Sequence, residues 1–269
     1  MSPSPFKNWQ SKIKNEQNIF FTAIMFFTRI PVPENIDHNQ DMLQRSARYF
    51  SWVGILVGGI GAAIFFLTAK IFSPALSIAF SMLATILTTG AFHEDGFADC
   101  CDAFGGGWTK EKILMIMKDS RLGTYGVVGL LGILGFKFLL LLELSEFARP
   151  TEIVCIMIAA HSTSRLMAVS IMQQYNYVQD IDVSKSKPLA NRKLTTIEIP
   201  IAIAGSIIPL LFLPAVIGLA LVPLPITGRL AGQYFKKWIG GYTGDCLGAT
   251  QQVSEIIFYL GVLVITKYL

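Results

Sequence analysis

Apolar segments of membrane-spanning length alternate with polar loops along the whole chain. A helix that crosses a bilayer needs about 20 mostly apolar residues. Segments of this kind lie at 49–72, 75–92, 123–144, 152–172, 195–213, 214–237 and 253–269. A shorter apolar stretch at 18–30 is predicted to be an interfacial or re-entrant piece. The pattern predicts an all-α, polytopic membrane bundle of about six or seven segments, which forms a single domain over residues 1–269.

The composition strengthens this prediction of a membrane protein. Hydrophobic residues make up 52% of the chain and charged residues only 15%, with a mean hydropathy of +0.53. Charged residues are about a quarter of an ordinary soluble domain. The net charge of +4 is too small to indicate nucleic-acid binding, and it instead fits basic loops that lie against an anionic lipid leaflet.

Lysine and arginine residues are concentrated on one side of the predicted bundle. Nearly all those in loops fall in four regions, namely 31–48, 93–122, 173–198 and the chain after 229. The opposite connections hold essentially Lys70 and Arg149. Because basic loops stay in the cytoplasm, the sequence predicts an integral protein of the cytoplasmic (inner) membrane with its basic side facing the cytoplasm. The region 93–122 is therefore predicted to be a cytoplasmic loop, with a short interfacial helix at 110–118.

An acidic run follows directly on the apolar segment that ends at residue 92. Its carboxylates belong to Glu94, Asp95, Asp99 and Asp102. Four carboxylates left in hydrocarbon would cost on the order of 10 kcal/mol, so the run must face water, a polar cavity or a cation. In a helix, Asp95, Asp99 and Asp102 share one face at i, i+4 and i+7. Mg²⁺ takes such oxygen ligands together with substrate phosphates. The alternative is a solvated acidic helix end.

Glycine-rich segments accompany the candidate metal ligands. Gly105, Gly106 and Gly107 close the acidic run; they are predicted to end its helix and to let the backbone approach a bound substrate closely. A second glycine-rich stretch at 240–249 is predicted to be a loop, and it holds Asp245 as a further candidate metal carboxylate. A simple flexible turn is the alternative there.

A basic stretch precedes the apolar segment 123–144. Its candidate substrate-binding residues are Lys118, Ser120, Arg121 and Thr124. The Arg121 guanidinium can donate two parallel hydrogen bonds to phosphate oxygens. The N–H groups at the start of the following helix favour an anion at the same place. The alternative is a helix junction in which Asp119 and Arg121 are merely solvated.

His161 and Arg165 lie one helical turn apart inside a predicted span. An arginine side chain inside a membrane span usually has a function, because burying its charge there is costly. Its expected partners are carboxylates of the 93–119 region or a substrate phosphate. His161 is expected to be a packing residue rather than a base.

Taken together, these stretches resemble the motifs of one known family. The runs 89–107 and 117–126 are similar to the two signatures of the cobalamin-5′-phosphate synthases, also called adenosylcobinamide-GDP ribazoletransferases. Stretches 27–33, 164–165 and 244–249 resemble the family's other motifs. They occur in the family's order, so the resemblance covers nearly the whole chain.

The resemblance implies the last assembly step of the cobalamin nucleotide loop. The ribose hydroxyl of α-ribazole, or of its 5′-phosphate, attacks the cobinamide-linked phosphorus of adenosylcobinamide-GDP, and GMP leaves. Mg²⁺ is the implied cofactor, and the candidate ligands are Glu94, Asp95, Asp99, Asp102, Asp119 and Asp245. Arg121 and Arg165 would clamp phosphate oxygens, and His93 or one carboxylate would accept the hydroxyl proton.

Two other functions are weighed against this one. Another Mg²⁺-dependent membrane transferase, of the CDP-alcohol phosphotransferase type, also uses aspartate-rich sites at the membrane edge. A transporter or ion channel would explain an intramembrane Arg165, but transporters typically show strong repeated halves, and no such repeat is visible. The expected partners are the two substrates and the lipid bilayer, without nucleic acid, and a homo-oligomer is compatible with the sequence.

Overall fold

A computed structural model describes residues 5–34, 36, 40–178 and 192–269, with side chains from residue 13 onward. Parts of the predicted loops 31–48 and 173–198 lie outside these residues. The described α-helices are α1 Pro5–Phe27, α2 Gln40–Ser46, α3 Phe50–Thr68, α4 Pro74–Thr89, α5 Phe92–Gly106, α6 Lys110–Met117, α7 Thr124–Phe147, α8 Pro150–Gln174, α9 Glu198–Leu210, α10 Pro223–Ile239 and α11 Gly244–Tyr268. Short 3-10 helices at Ala47–Tyr49 and Ala215–Leu221 precede α3 and α10.

The all-α, polytopic prediction is confirmed. Five helical stretches of the described chain are long and apolar enough to cross a membrane, namely Gln40–Thr68, Thr124–Phe147, Pro150–Gln174, Ala215–Ile239 and Gly244–Tyr268. The α4–α5 pair makes a sixth only if the two helices, bent by 87°, count as one broken span. The segment predicted at 195–213 contains only α9, whose 13 residues are too few to cross a bilayer.

Two local predictions were wrong at least in part. The region 93–122 was predicted to be a loop with one short helix at 110–118; α6 confirms that helix, but the acidic run is also part of a regular helix, α5. The glycine-rich stretch 240–249 was also predicted to be a loop, but α11 already begins at Gly244.

Small residues let the central helices touch through their backbones. On α3, side-chain carbons added at Gly54 and Gly58 would collide with the backbone of α8 around His161. Such close approach is typical of helix pairs in membranes. The glycines at these two positions therefore serve packing between α3 and α8.

The sharp bend between α4 and α5 depends on two residues in the left-handed region. Gly90 has φ 65° and Ala91 has φ 59°, and only glycine adopts this conformation without steric cost. The guanidinium of Arg29 lies directly over the Gly90 Cα, where a Cβ would overlap with it. The bend turns the acidic run away from the axis of α4.

Candidate active site

Three carboxylates form an acidic face where α5 meets the start of α11. Asp95 and Asp99 lie on α5, as the i, i+4 spacing predicted, and Asp245 lies in the first turn of α11. The helices meet at Gly96, where a Cβ would be 3.0 Å from the Asp245 Cα. Asp245, Asp95 and Asp102 all lie close enough to Asp99 for their charges to repel its carboxylate. We call Asp95, Asp99 and Asp245 the acidic face.

The acidic face has no basic counterpart. Among the described residues, no lysine or arginine forms an ion pair with any of its three carboxylates. Negatively charged carboxylate oxygens are ligands that Mg²⁺ prefers. In the described part of the chain, no three His, Cys, Asp or Glu side chains are arranged so that they could hold a metal ion. The donor chemistry therefore fits Mg²⁺, and side-chain rotations would have to bring the oxygens together.

Asp102, the third aspartate on this side of α5, caps the N-terminus of α7. Its two oxygens accept hydrogen bonds from the N–H groups of Gly123, at 2.7 Å, and Gly126, at 2.8 Å. A Cβ at either glycine would overlap with the carboxylate. The N–H groups that the sequence assigned to a substrate phosphate are thus partly taken by the chain's own anion.

The basic stretch before α7 is exposed to solvent. Arg121 donates to the carboxylate of Asp119 through Nη2 at 2.7 Å and through Nε at 3.0 Å. These hydrogen bonds hold the pKa of Asp119 below its ordinary value. Lys118, Ser120 and Thr124 are exposed beside them. Asp119 and Arg121, predicted to bind a metal and a phosphate respectively, are therefore bound to each other.

The glycine trio ends α5, as predicted, at Gly106. The space beside two of the three glycines is filled by protein. A Cβ at Gly105 would lie 2.7 Å from the ring of Tyr125, and one at Gly107 would lie 2.6 Å from a side-chain carbon of Ile113. Packing of α5 against α6 and α7 therefore explains the small residues at Gly105 and Gly107, and a role for the trio in substrate binding stays a prediction.

The inward side of α5 carries a different set of groups. Glu94 is 9% exposed and accepts a hydrogen bond from Gln252 Nε2 at 3.0 Å, while its Oε2 has no partner among the described residues. His93 is also buried, and its ring is stacked on Phe27 with centroids 6.0 Å apart. Glu94, predicted to be a metal ligand with Asp95, thus lies on the other side of the helix.

Arg165 lies under this inward side, at the wall of a small cavity shared with His93 and Glu94. It is 3% exposed. Its Nη1 donates to the carbonyl oxygen of His161 at 2.8 Å and lies 3.3 Å from Nδ1 of the same residue. Its Nε has no partner, and no carboxylate of the described residues forms an ion pair with it. The carboxylates of Glu94 and Glu255 line the same cavity and attract the guanidinium without pairing with it directly.

Sequence reasoning missed two buried charges near this cavity. The ammonium of Lys137 on α7 pairs with the carboxylate of Glu255 on α11. A signal was present, because each is a charged residue inside a predicted span. Gln252, the partner of Glu94, gave no comparable signal.

Comparison with known proteins identifies the family. A family model described as cobalamin-5-phosphate synthase matches residues 19–263. The chain belongs to this family. The match includes all the candidate site residues and confirms the resemblance seen in the motifs.

Curated relatives match over almost their full length. A protein of Shewanella frigidimarina is 46% identical over 249 residues, which cover 92% of this chain and 95% of the relative. A protein of Shewanella halifaxensis is 45% identical over 262 residues, with 96% and 97% covered. Both are named adenosylcobinamide-GDP ribazoletransferase. No solved structure matches the chain.

Proposed function

We propose that this cobalamin-5-phosphate synthase family member is an adenosylcobinamide-GDP ribazoletransferase. It transfers the phospho-cobinamide group of adenosylcobinamide-GDP to the ribose hydroxyl of α-ribazole or its 5′-phosphate, and it releases GMP. The observation that carries this proposal is the near-complete match to relatives of that name. The products are adenosylcobalamin, or its 5′-phosphate, and GMP.

We assign the metal-binding role to the acidic face, Asp95, Asp99 and Asp245. Without a cation these carboxylates would repel the pyrophosphate of the substrate. Mg²⁺ bound there would neutralise charge on the phosphate oxygens and on the leaving group. Asp102 is committed to the cap of α7, so it fixes α5 against α7 rather than binding the metal.

The two arginines are suited to different parts of the substrate. Arg165 is desolvated and forms no direct ion pair among the described residues, so salt would screen its attraction to a phosphate only weakly. Arg121 is exposed and can exchange Asp119 for a phosphate oxygen by rotating its side chain. Because the His93 ring is buried against Phe27, we propose that a carboxylate of the acidic face accepts the proton of the ribose hydroxyl.

We further propose that the acidic face looks into the cytoplasm from the inner membrane. The basic loops support this orientation through the positive-inside rule. A guanine nucleotide substrate would also be available on that side.

A reconstituted reaction tests the function. The protein, purified in detergent, is supplied with adenosylcobinamide-GDP and α-ribazole, with Mg²⁺ or with a chelator, and GMP and the corrinoid product are quantified. We expect equimolar GMP and product only when Mg²⁺ and both substrates are present. No product under these conditions, with release of CMP from a CDP-alcohol instead, would replace this proposal by the CDP-alcohol phosphotransferase alternative.

A further inference from the structure

A buried polar network crosses the middle of the bundle, beyond the residues assigned to the reaction. It joins α7, α8 and α11, and its members are Lys137, His161, Ser164, Gln251 and Glu255. None of these residues is more than 6% exposed. Charged groups at this depth are costly unless they are paired, and they usually have a function.

The centre of the network is the carboxylate of Glu255. Its Oε1 pairs with the Lys137 ammonium and lies 3.4 Å from Nε2 of His161. Its Oε2 accepts a hydrogen bond from Gln251 Nε2 at 2.7 Å, and the same amide contacts Ser164 Oγ at 3.0 Å. The carboxylate thus links groups on three helices.

The second ring nitrogen of His161 faces the guanidinium of Arg165. Nδ1 lies 3.3 Å from Arg165 Nη1. A guanidinium can only donate, so a hydrogen bond at this contact requires Nδ1 as the acceptor and the ring proton on Nε2. In that tautomer the Nε2–H group faces Oε1 of Glu255 across 3.4 Å, an electrostatic contact rather than a direct hydrogen bond. A chain of contacts therefore runs from Glu255 through the imidazole to Arg165.

We propose that Glu255 is a positioning residue for Arg165. Glu255 holds His161 in the Nε2–H tautomer. In that tautomer, Nδ1 and the carbonyl oxygen of His161 both accept from the guanidinium and fix it at the cavity under Glu94. Outer hydrogen-bond partners commonly fix the tautomer and orientation of a functional histidine in this way. Lys137 neutralises Glu255. This inference rests on the proposed function, in which Arg165 clamps a substrate phosphate.

A charge-balanced double variant tests the inference. Lys137→Met/Glu255→Met removes both charges and the acceptor with little change in volume, so no unpaired buried charge is left. We expect a near-normal yield of folded protein, a kcat reduced about 10- to 100-fold, and a KM that changes by less than about threefold. Wild-type kcat in this variant would overturn the inference and leave the pair a structural link between α7 and α11.

The matched control removes another ion pair between the same two helices. Lys267 on α11 and Glu143 on α7 are 3.1 Å apart and partly exposed. Lys267→Met/Glu143→Gln should leave kcat and KM unchanged. A loss of kcat equal to that of the buried double variant would attribute the effect to helix packing and overturn the inference.

The tautomer of His161 can be measured in the wild type, whether or not the buried variant folds. The chain has three histidines, so ¹⁵N-histidine labelling gives few signals, and the spectrum of His161→Gln identifies those of His161. We expect a neutral ring with the proton on Nε2, and a proton on Nδ1 would overturn the inference. Absence of GMP release by the wild type would reject the proposed function, whereas the tautomer of His161 tests the arrangement between Glu255 and Arg165 without any activity measurement.

Discussion

Neighbouring carboxylates on α5 have opposite surroundings. Successive residues of an α-helix point about 100° apart, so Asp95 is exposed while Glu94 is buried against Gln252. Asp99, one turn after Asp95, lies beside it and near Asp245. A cation shared with substrate phosphates therefore has access to Asp95 and Asp99 but not, in this arrangement, to Glu94.

The first prediction concerns the metal-binding role of these residues. Asp95→Asn and Asp99→Asn each remove a charge without changing volume, so each should lower kcat about 100-fold or more and raise the Mg²⁺ concentration needed for half-maximal activity. Steady-state kinetics over a Mg²⁺ titration measure both effects. Asp41→Asn is the control, because Asp41 is exposed on α2 and pairs only with Arg45 among the described residues. Full activity of both α5 variants at low Mg²⁺ would reject the metal-binding role.

The second prediction concerns Arg165. Arg165→Lys keeps the positive charge but loses the planar, two-pronged donor, so kcat should fall about 100-fold or more while substrate binding changes much less. Arg149→Lys, at an exposed site on the opposite side, should be silent. If Arg165→Lys turns over at the wild-type rate with normal expression, Arg165 has only a structural role.

Spacing predicted the part of the site that depends on one helix. The face shared by Asp95 and Asp99 follows from their i, i+4 positions. The inward contact of Glu94 with Gln252, 158 residues away, and the cap that Asp102 forms on α7 depend on how separate helices meet. No local pattern contains that information.

At the scale of helices, a glycine stripe on α7 receives the side chains of α5. Gly123 and Gly126 face the carboxylate of Asp102, and Gly129 faces the side chain of Cys101. Further along the same helix, a Cβ at Gly132 would meet open space, with nothing within 4 Å among the described residues. The stripe therefore ends where the contact with α5 ends.

The third prediction follows from this contact. Gly126→Ala should destabilise the protein by about 1–3 kcal/mol, because the new methyl group would overlap with Asp102 and displace α5 from α7. Gly132→Ala should be neutral or slightly stabilising, since its methyl group meets open space and alanine favours helix. Thermal unfolding in detergent compares the two variants. Equal melting temperatures would contradict the tight α5–α7 contact.

The spacing of apolar residues predicted which segments form helices more reliably than it predicted where those helices begin. The polar residues of α5 and of the first turns of α11 resembled loops because their composition is unlike that of a span. They are helical because Gly96 and Gly248 allow these two helices to pack directly on each other. Tertiary contact overrides local composition here.

Over the whole molecule, the acidic face and the ends of the polar loops lie at one end of the bundle. The segment after α8 pairs with the segment before α11 through Tyr177 and Tyr242, and Asp245 follows immediately. The 107–123 connection lies at this end as well, because Asp102 binds the start of α7. The turns 69–73 and 148–149 lie at the other end of the spans.

The fourth prediction concerns sidedness. In a chain whose native cysteines are replaced, Trp108→Cys, at a position 82% exposed beside α5, should react with a membrane-impermeant thiol reagent only after the cytoplasmic side is opened. Ile71→Cys, 78% exposed in the turn between α3 and α4, should react in intact cells. The expectation follows from the basic residues on the side of the acidic face. The reverse labelling pattern would contradict the proposed orientation. It would place the acidic face outside the cytoplasm, where guanine nucleotide substrates are not supplied.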